Sequence, residues 1–212
     1  GENEKLYILQ ARPETVQSRQ TGTTLRTFKL QQKSQEVVAG LAIGQSITTG
    51  TAQVIKGTGD MHCFREGSIL VTGMTHPDWV PIMKKAAGII TDHGGRTSHA
   101  AIVSRELGIP AVVGTNTATE AIEDGQEITL CCAEGERGII YDGALDYEVE
   151  TVDIGQIPAT RTKVMMNVAT PGAAFRWWRL PAQGIGLARM EFIINNIIKV
   201  HPMALVHYDS IT

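Results

Sequence analysis

The chain has 212 residues, 19 Lys and Arg against 22 Asp and Glu, a formal net charge of -3, and 42% hydrophobic residues. Near-neutral charge offers no basic field for nucleic acid or an anionic membrane surface, and the apolar share is that of a folded globular protein. No window reaches the roughly 18 consecutive apolar residues of a membrane span, and GENEKLYILQ at the start lacks the basic and apolar stretches of a secretory leader.

Residues 5–12 predict a strand, closed by Pro13, whose missing N–H ends a ladder. That strand begins before any turn or cap, and MALVHYDSIT stops just after a helix-like segment, so the sequence reads as a piece of a longer protein. Residues 18–35 are polar, with Leu25, Phe28 and Leu30 as the large apolar residues, and read as a linker. From Val37 the pattern turns dense: VVAGLAI, TAQVI and SILVT predict short strands. Pro77 to Ala87 predicts a helix capped by Asp78, with Trp79, Ile82 and Met83 on one face. GIIT at 88–91 is a buried strand, Ser98 to Leu107 a helix stopped by Gly108 and Pro110. AVVG, EITL and GIIYDG follow as strands, with a short helix near 117–122.

Strands and helices thus interleave over 36–145, the size of one domain. Residues 146–162, acidic and then Pro- and Thr-bearing, read as a second linker. KVMMNVA (strand), PGAAFRWWRL (helix, with Pro171 early), GIGLAR (strand) and MEFIINNII then begin a β-α-β series. A complete (β/α)8 barrel needs about 250 residues, so two of its strands at most are present.

The stretch that carries chemistry is GIITDHGGRTSHAAIVSRELGIPAVVG, residues 88–114. An apolar strand runs into Gly94 and Gly95, which let the backbone turn sharply and bring N–H groups near a ligand. Thr97 or Ser98 caps the following helix, and His99 falls in its first turn. Unpaired N–H donors and the positive end of the helix dipole suit an anion there. They also discourage protonation of the imidazole, which keeps a lone pair available to take a phosphoryl group. Backbone N–H groups and the Thr97 hydroxyl would meet the phosphoryl oxygens.

The run from Gly94 through Arg105 resembles the phosphohistidine signature of the phosphoenolpyruvate-utilising enzymes: paired glycines, Thr97 two before His99, a small-small-aliphatic run, and Arg105 six after. LYILQARPETV at 6–16 is similar to the closing strand of that family's ATP-grasp nucleotide domain, and MMNV with GIGLARMEFII, within 165–194, resembles the start of its phosphoenolpyruvate-binding barrel. The resemblance implies an α/β architecture. Residues 1–17 would be the ATP-grasp strand, 18–35 a linker, and 36–145 a swivelling β/β/α phosphohistidine domain. A second linker would occupy 146–162, and 163–212 the truncated start of a phosphoenolpyruvate/pyruvate-binding barrel.

The activity implied is a phosphotransferase with paired acceptors, turning ATP, pyruvate and water into AMP, phosphoenolpyruvate and phosphate. His99 would take the β-phosphoryl of ATP and pass it to pyruvate, and the linkers would act as hinges between the two sites. Gln10 and Arg12 would face the nucleotide, and Arg189 the phosphate of phosphoenolpyruvate. Gly94, Gly95, Thr97, Ser98 and Arg105 would support the phosphohistidine. Magnesium is implied, with ligands outside this chain, which by itself would not complete the reaction. A cytoplasmic protein with no nucleic-acid or membrane partner is expected, with a homo-oligomer an open alternative.

Plainer readings stand beside these. His99 could pack as an ordinary helix histidine, Arg105 face its own C-terminal carbonyls, and Arg96 be a solvated loop arginine. Gln10 and Arg12 could be the polar end of an edge strand. His76 and His93 depart from the family pattern, and their roles stay open. His62, near Cys63 and Asp60, has no metal-ligand spacing. Cys131 and Cys132, three cysteines in all with Cys63, form no disulfide framework and suit a reducing compartment. The adjacent pair should point to opposite faces of a strand, with one at most buried and both structural. Two other functions fit less: a rifampin-type antibiotic phosphotransferase, whose histidine domain would end the chain, and a non-catalytic module, which has no need of Thr97-Ser98-His99. Residues 163–212 should expose apolar surface.

Overall fold

Short runs of β-branched and aliphatic side chains, alternating between two faces, build the centre of the molecule. The computed structural model describes residues 24–210 apart from 159, 171–172, 175–176 and 178–179. Seven strands close into a barrel: β2 (Glu36–Ile43), β3 (Ile47–Val54), β4 (Ile69–Thr72), β5 (Gly88–Thr91), β6 (Ala111–Val113), β7 (Glu127–Cys131) and β8 (Arg137–Asp142). Around the barrel their order is β2-β6-β5-β4-β3-β7-β8. The neighbours β3, β4, β5 and β6 pair in parallel; β2–β6, β2–β8, β3–β7 and β7–β8 pair antiparallel.

The period of two sorts the side chains. Val38, Ala52, Ile69, Val71, Ile90, Val112, Ile128, Leu130 and Ile140 form one buried cluster that draws on all seven strands and fills the lumen. Leu70, Ile89, Ala111 and Val113, the alternate residues, turn outward beneath two helices, α1 (Val80–Met83) and α2 (His99–Leu107), against Trp79, Ile82, Met83, Ala100, Ala101 and Val103. A short helix, α3 (Ala118–Ala121), follows β6 and sends Ala118 into the lumen cluster. On the far side, Ile47, Cys131, Ile139, Tyr141 and Leu145 make a third cluster, packed by Phe28, Leu30 and Tyr147.

Those last three side chains come from the tracts expected to be linkers. Each tract holds a strand, β1 (Thr24–Leu30) and β9 (Tyr147–Asp153), and the two pair with each other. The Gln31 N–H donates to the Asp146 carbonyl at 3.1 Å, and the Phe28 and Tyr147 rings lie 6.2 Å apart. A polar composition reads as a linker when its few apolar residues have no visible partner; here they cover the outer face of β7 and β8.

The same cover corrects the expectation for the cysteines. Cys131 and Cys132 do point to opposite faces, yet both are fully buried. Cys131 lies in the cluster under the ribbon, Cys132 in the lumen, where its Sγ donates to the Ala111 carbonyl at 3.3 Å. A closed barrel with an outer layer leaves neither face of the strand to solvent.

The helix expected over 77–87 is shorter and begins differently. Pro77–Trp79 is a 3-10 turn with His76 at its N-cap position, α1 runs over Val80–Met83, and Asp78 sits inside the first turn without capping it. Trp79, Ile82 and Met83 are buried as expected. The strand expected over 5–12, with Gln10 and Arg12, lies outside the described residues.

The chain divides into two compact units, one holding the barrel over Arg26–Thr151, the other including residues from Val152 onward. In the second, β10 (Met166–Val168) and β11 (Ile185–Ala188) pair in parallel, followed by α4 (Met190–Ile193), a π-helical turn over Ile194–Ile198 and α5 (Pro202–Val206). Ile185, Leu187, Met190, Phe192, Leu205 and Val206 are exposed, the apolar surface expected of this region. Among the described residues no helix is long and apolar enough to cross a membrane.

Candidate functional site

Parallel strands bring the loops at their carboxyl ends together, and clefts of α/β sheets form there. The loops after β4, β5 and β6 therefore meet at one end of the barrel. Backbone hydrogen bonds fix the meeting: Asp92 N–H to Thr72 O at 3.1 Å, His93 N–H to Gly73 O at 2.9 Å, and Thr115 N–H to Thr91 O at 3.1 Å.

The β5 exit loop carries the paired glycines. Gly94 has φ +122°, and a Cβ there would stand 2.8 Å from Ser98 Oγ, so both the turn and the close packing require glycine. Around Gly95 a Cβ would meet nothing within 4 Å among the described residues, which leave open space beside the loop. Ser98 caps α2: its Oγ accepts from the Ala101 N–H at 3.4 Å and donates to the Gly95 carbonyl at 2.8 Å. The helix ends as expected, with Gly108 left-handed at φ +72°.

His99 is the first residue of α2 and is half-buried. Its Nδ1 shares a 2.9 Å hydrogen bond with Oγ1 of Thr75, a buried residue of the β4 exit loop. A histidine with one nitrogen held by a buried hydroxyl, beside a helix N-terminus and a glycine turn, has the chemistry of a nucleophile whose ring is fixed in advance.

The other expected residues fall into two groups. Thr97 and Ser98 adjoin the ring, Thr97 exposed and Ser98 holding the cap. The arginines work on the loop. Arg105 Nη1 donates to the Arg96 carbonyl at 2.7 Å, and the Arg96 guanidinium pairs with Glu136 at 3.0 Å. Arg189 belongs to the second unit, where it follows β11, its N–H donating to the Val168 carbonyl at 2.8 Å and its guanidinium lying 5.9 Å from the Phe192 ring centre. It thus stands at the carboxyl ends of both parallel strands there. His93 and His76 are exposed, and His62 Nδ1 bonds the Gly59 carbonyl at 2.7 Å.

Two residues escaped the sequence reading. Thr75 lies 24 positions before His99; the signal that could have found it is the parallel pairing of the strands before the two loops. Asp92 is buried, its Oδ1 accepting from Thr115 Oγ1 at 3.2 Å and Thr119 N–H at 3.1 Å and its Oδ2 from Thr119 Oγ1 at 2.5 Å. It ties the β5 exit to the β6 exit, with both oxygens hydrogen-bonded as burial of a carboxylate demands.

The sequence agrees with this geometry. Residues 64–135 match the family described as PEP-utilising enzyme, mobile domain. That match takes in the loops after β4, β5 and β6, with Thr75, His99 and Arg105. Over 98% of its length it is 53% identical to the phosphoenolpyruvate synthase of Aquifex aeolicus (strain VF5), and over 99% it is 49% identical to that of Escherichia coli (strain K12). It covers 25% and 26% of those two proteins, so the chain spans about a quarter of the length of the curated relatives it matches.

Proposed function

We propose that this chain is the phosphoryl-carrier part of a phosphoenolpyruvate synthase, with His99 as the carrier. The reading rests above all on one observation: His99 opens a capped helix beside a glycine turn, with its Nδ1 held by a buried hydroxyl. In the forward direction an imidazole lone pair attacks the β-phosphorus of ATP. A nitrogen–phosphorus bond forms, the bond from phosphorus to the departing oxygen breaks, and that oxygen keeps the electron pair. The departing oxygen is that of AMP, so the ring first holds the β- and γ-phosphoryl groups together. Water cleaves the γ-phosphate from it as inorganic phosphate. The phosphoryl group that remains passes to the enolate oxygen of pyruvate, which has given up a methyl proton, to give phosphoenolpyruvate and the free ring.

The chain's own groups do local work in this scheme. Ser98 and Gly94 set the angle at which the helix leaves the loop, and the α2 N-terminus favours the arriving negative charge. Arg105 braces the loop, and the space beside Gly95 admits the group. Gln10 and Arg12 toward the nucleotide and Arg189 toward phosphoenolpyruvate complete the proposal. Among the described residues no group of three or more His, Cys, Asp or Glu side chains could hold a metal ion, and no step here is assigned to magnesium.

The test is phosphorylation in trans. The chain is incubated with the nucleotide domain of a relative and ATP labelled at the β-phosphate. Acid-labile, alkali-stable label that disappears in His99→Asn supports the reading; label that survives that substitution overturns it.

A further inference from the structure

Resting on the carrier reading of His99, we propose that Arg96 is a phosphoryl-binding side chain held by Glu136 while the carrier is empty, and that it exchanges this carboxylate for the phosphoryl oxygens when His99 is loaded. Arg96 stands three positions before His99, next to Gly95 and the open space that the described residues leave beside it. The Arg96 backbone is fixed, because its carbonyl accepts from Arg105 Nη1 at 2.7 Å. The guanidinium is the part that can move: it meets the Glu136 carboxylate at 3.0 Å, and the two side chains are 46% and 51% exposed. Strand register brings Glu136 to this end of the barrel. It directly precedes β8, whose Arg137 pairs with Leu41, and Leu41 pairs on its other side with Val113 at the carboxyl end of β6. The Glu136 carbonyl accepts from the Ala42 N–H at 2.9 Å, so the backbone is fixed here too.

An ion pair this exposed is weak, because water screens it and two long side chains must be ordered to make it. A phosphoryl group brings about two negative charges and three acceptor oxygens, and the planar guanidinium fork binds two such oxygens at once. Arrival of the group therefore draws Arg96 away from Glu136. Departure reverses the exchange, and the carboxylate that takes back the guanidinium offsets the loss of its phosphoryl contacts. Glu136 in this way keeps the loaded carrier from becoming too stable to pass its group on.

The experiment uses the 212-residue chain, with phosphoramidate as phosphoryl donor and ammonia in excess. 31P spectra then read the equilibrium ratio of phosphorylated to free His99, and His99→Asn identifies the signal. Arginine labelled with 15N reports the Arg96 side chain, assigned by Arg96→Lys. In the unaltered chain the Arg96 signal should move on phosphorylation. Glu136→Gln should shift that signal in the free chain, whereas the two phosphorylated chains should give the same one. Arg96→Ala should lower the phosphorylated-to-free ratio about tenfold, as loss of charged hydrogen bonds does. Glu136→Gln should raise it about two- to fivefold, the range of an exposed ion pair. That rise should vanish in the Arg96→Ala background, where a carboxylate acting only through its field would still be felt. An Arg96 signal that stays in place when His99 is loaded overturns the proposal, as does a Glu136→Gln effect of the same size with and without Arg96. If Arg96→Ala fails to fold, the Arg96 signal and the Glu136→Gln ratio decide. A 31P signal that survives His99→Asn would instead discard the carrier reading.

Discussion

The guanidinium of Arg105 reaches back along its own helix and donates to the carbonyl of Arg96 at 2.7 Å, closing the loop that leads into His99. A cation nine residues on thereby holds the backbone just before the reactive ring. Loss of a charged hydrogen bond at this half-exposed position costs about 1 kcal/mol. Arg105→Ala should leave the barrel folded, lower the melting temperature by a few degrees, and slow phosphorylation of His99 about tenfold because the loop samples other conformations. Calorimetry and the rate of label incorporation check both parts.

The two glycines should respond in opposite ways. Gly94→Ala forces a side chain into a left-handed backbone and against Ser98 Oγ, so it should destabilise the chain by about 2 kcal/mol or more and release the helix cap. Gly95→Ala meets no atom of the described residues within 4 Å. It should unfold at the same denaturant concentration as the unaltered chain while accepting phosphoryl groups more slowly, because its methyl group fills the space beside the loop.

Ser104 is fully buried in α2, and its Oγ has no hydrogen-bond partner among the described residues. A buried unsatisfied hydroxyl is costly and alanine is the better helix former. Ser104→Ala should therefore stabilise the chain by about 1 kcal/mol, read as a higher urea midpoint with an unchanged slope.

Burial pushes the Cys131 thiol above its ordinary value of 9.0 and the Tyr141 phenol above 10.0. Both groups thus hold their protons more tightly in the native chain than in the unfolded one, and the stability from this difference is complete below those ordinary values. It should fall as pH rises from 9 through the raised native values, because the unfolded chain ionises first. Urea midpoints between pH 8 and 11 measure the decline, which should be smaller in Cys131→Ala. A thiol reagent at neutral pH should modify exposed Cys63 and spare Cys131 and Cys132. Phe28→Ala, which thins the cover over Cys131, should open that thiol to the reagent.

What could be read from the sequence was local. The cap at Ser98, the stop at Gly108, the glycine turn and the alternating strands all follow from neighbours within a few positions. Contacts made across the chain were not visible: Thr75 with His99, Asp92 with Thr115 and Thr119, and Phe28 with Tyr147. Barrel closure belongs with them, since period-two strands fit an open sheet as well as a closed one, and closure is what buries Cys131 and Cys132 together. From the sequence, Arg105 fits phosphate and its own helix carbonyls equally well. The structure gives its guanidinium to a loop carbonyl, a partner set by the turn at Gly94 and Gly95.

The most direct test of the carrier role is to locate the phosphoryl group within the labelled chain. Trypsin cuts after Arg96 and Arg105 and releases residues 97–105, TSHAAIVSR, which contain His99 as their one histidine. Mass spectrometry at alkaline pH should find a single added phosphoryl on that peptide, on the imidazole, and lost in acid. Phosphate on any other peptide, or acid-stable phosphate on Thr97, Ser98 or Ser104, would contradict the account.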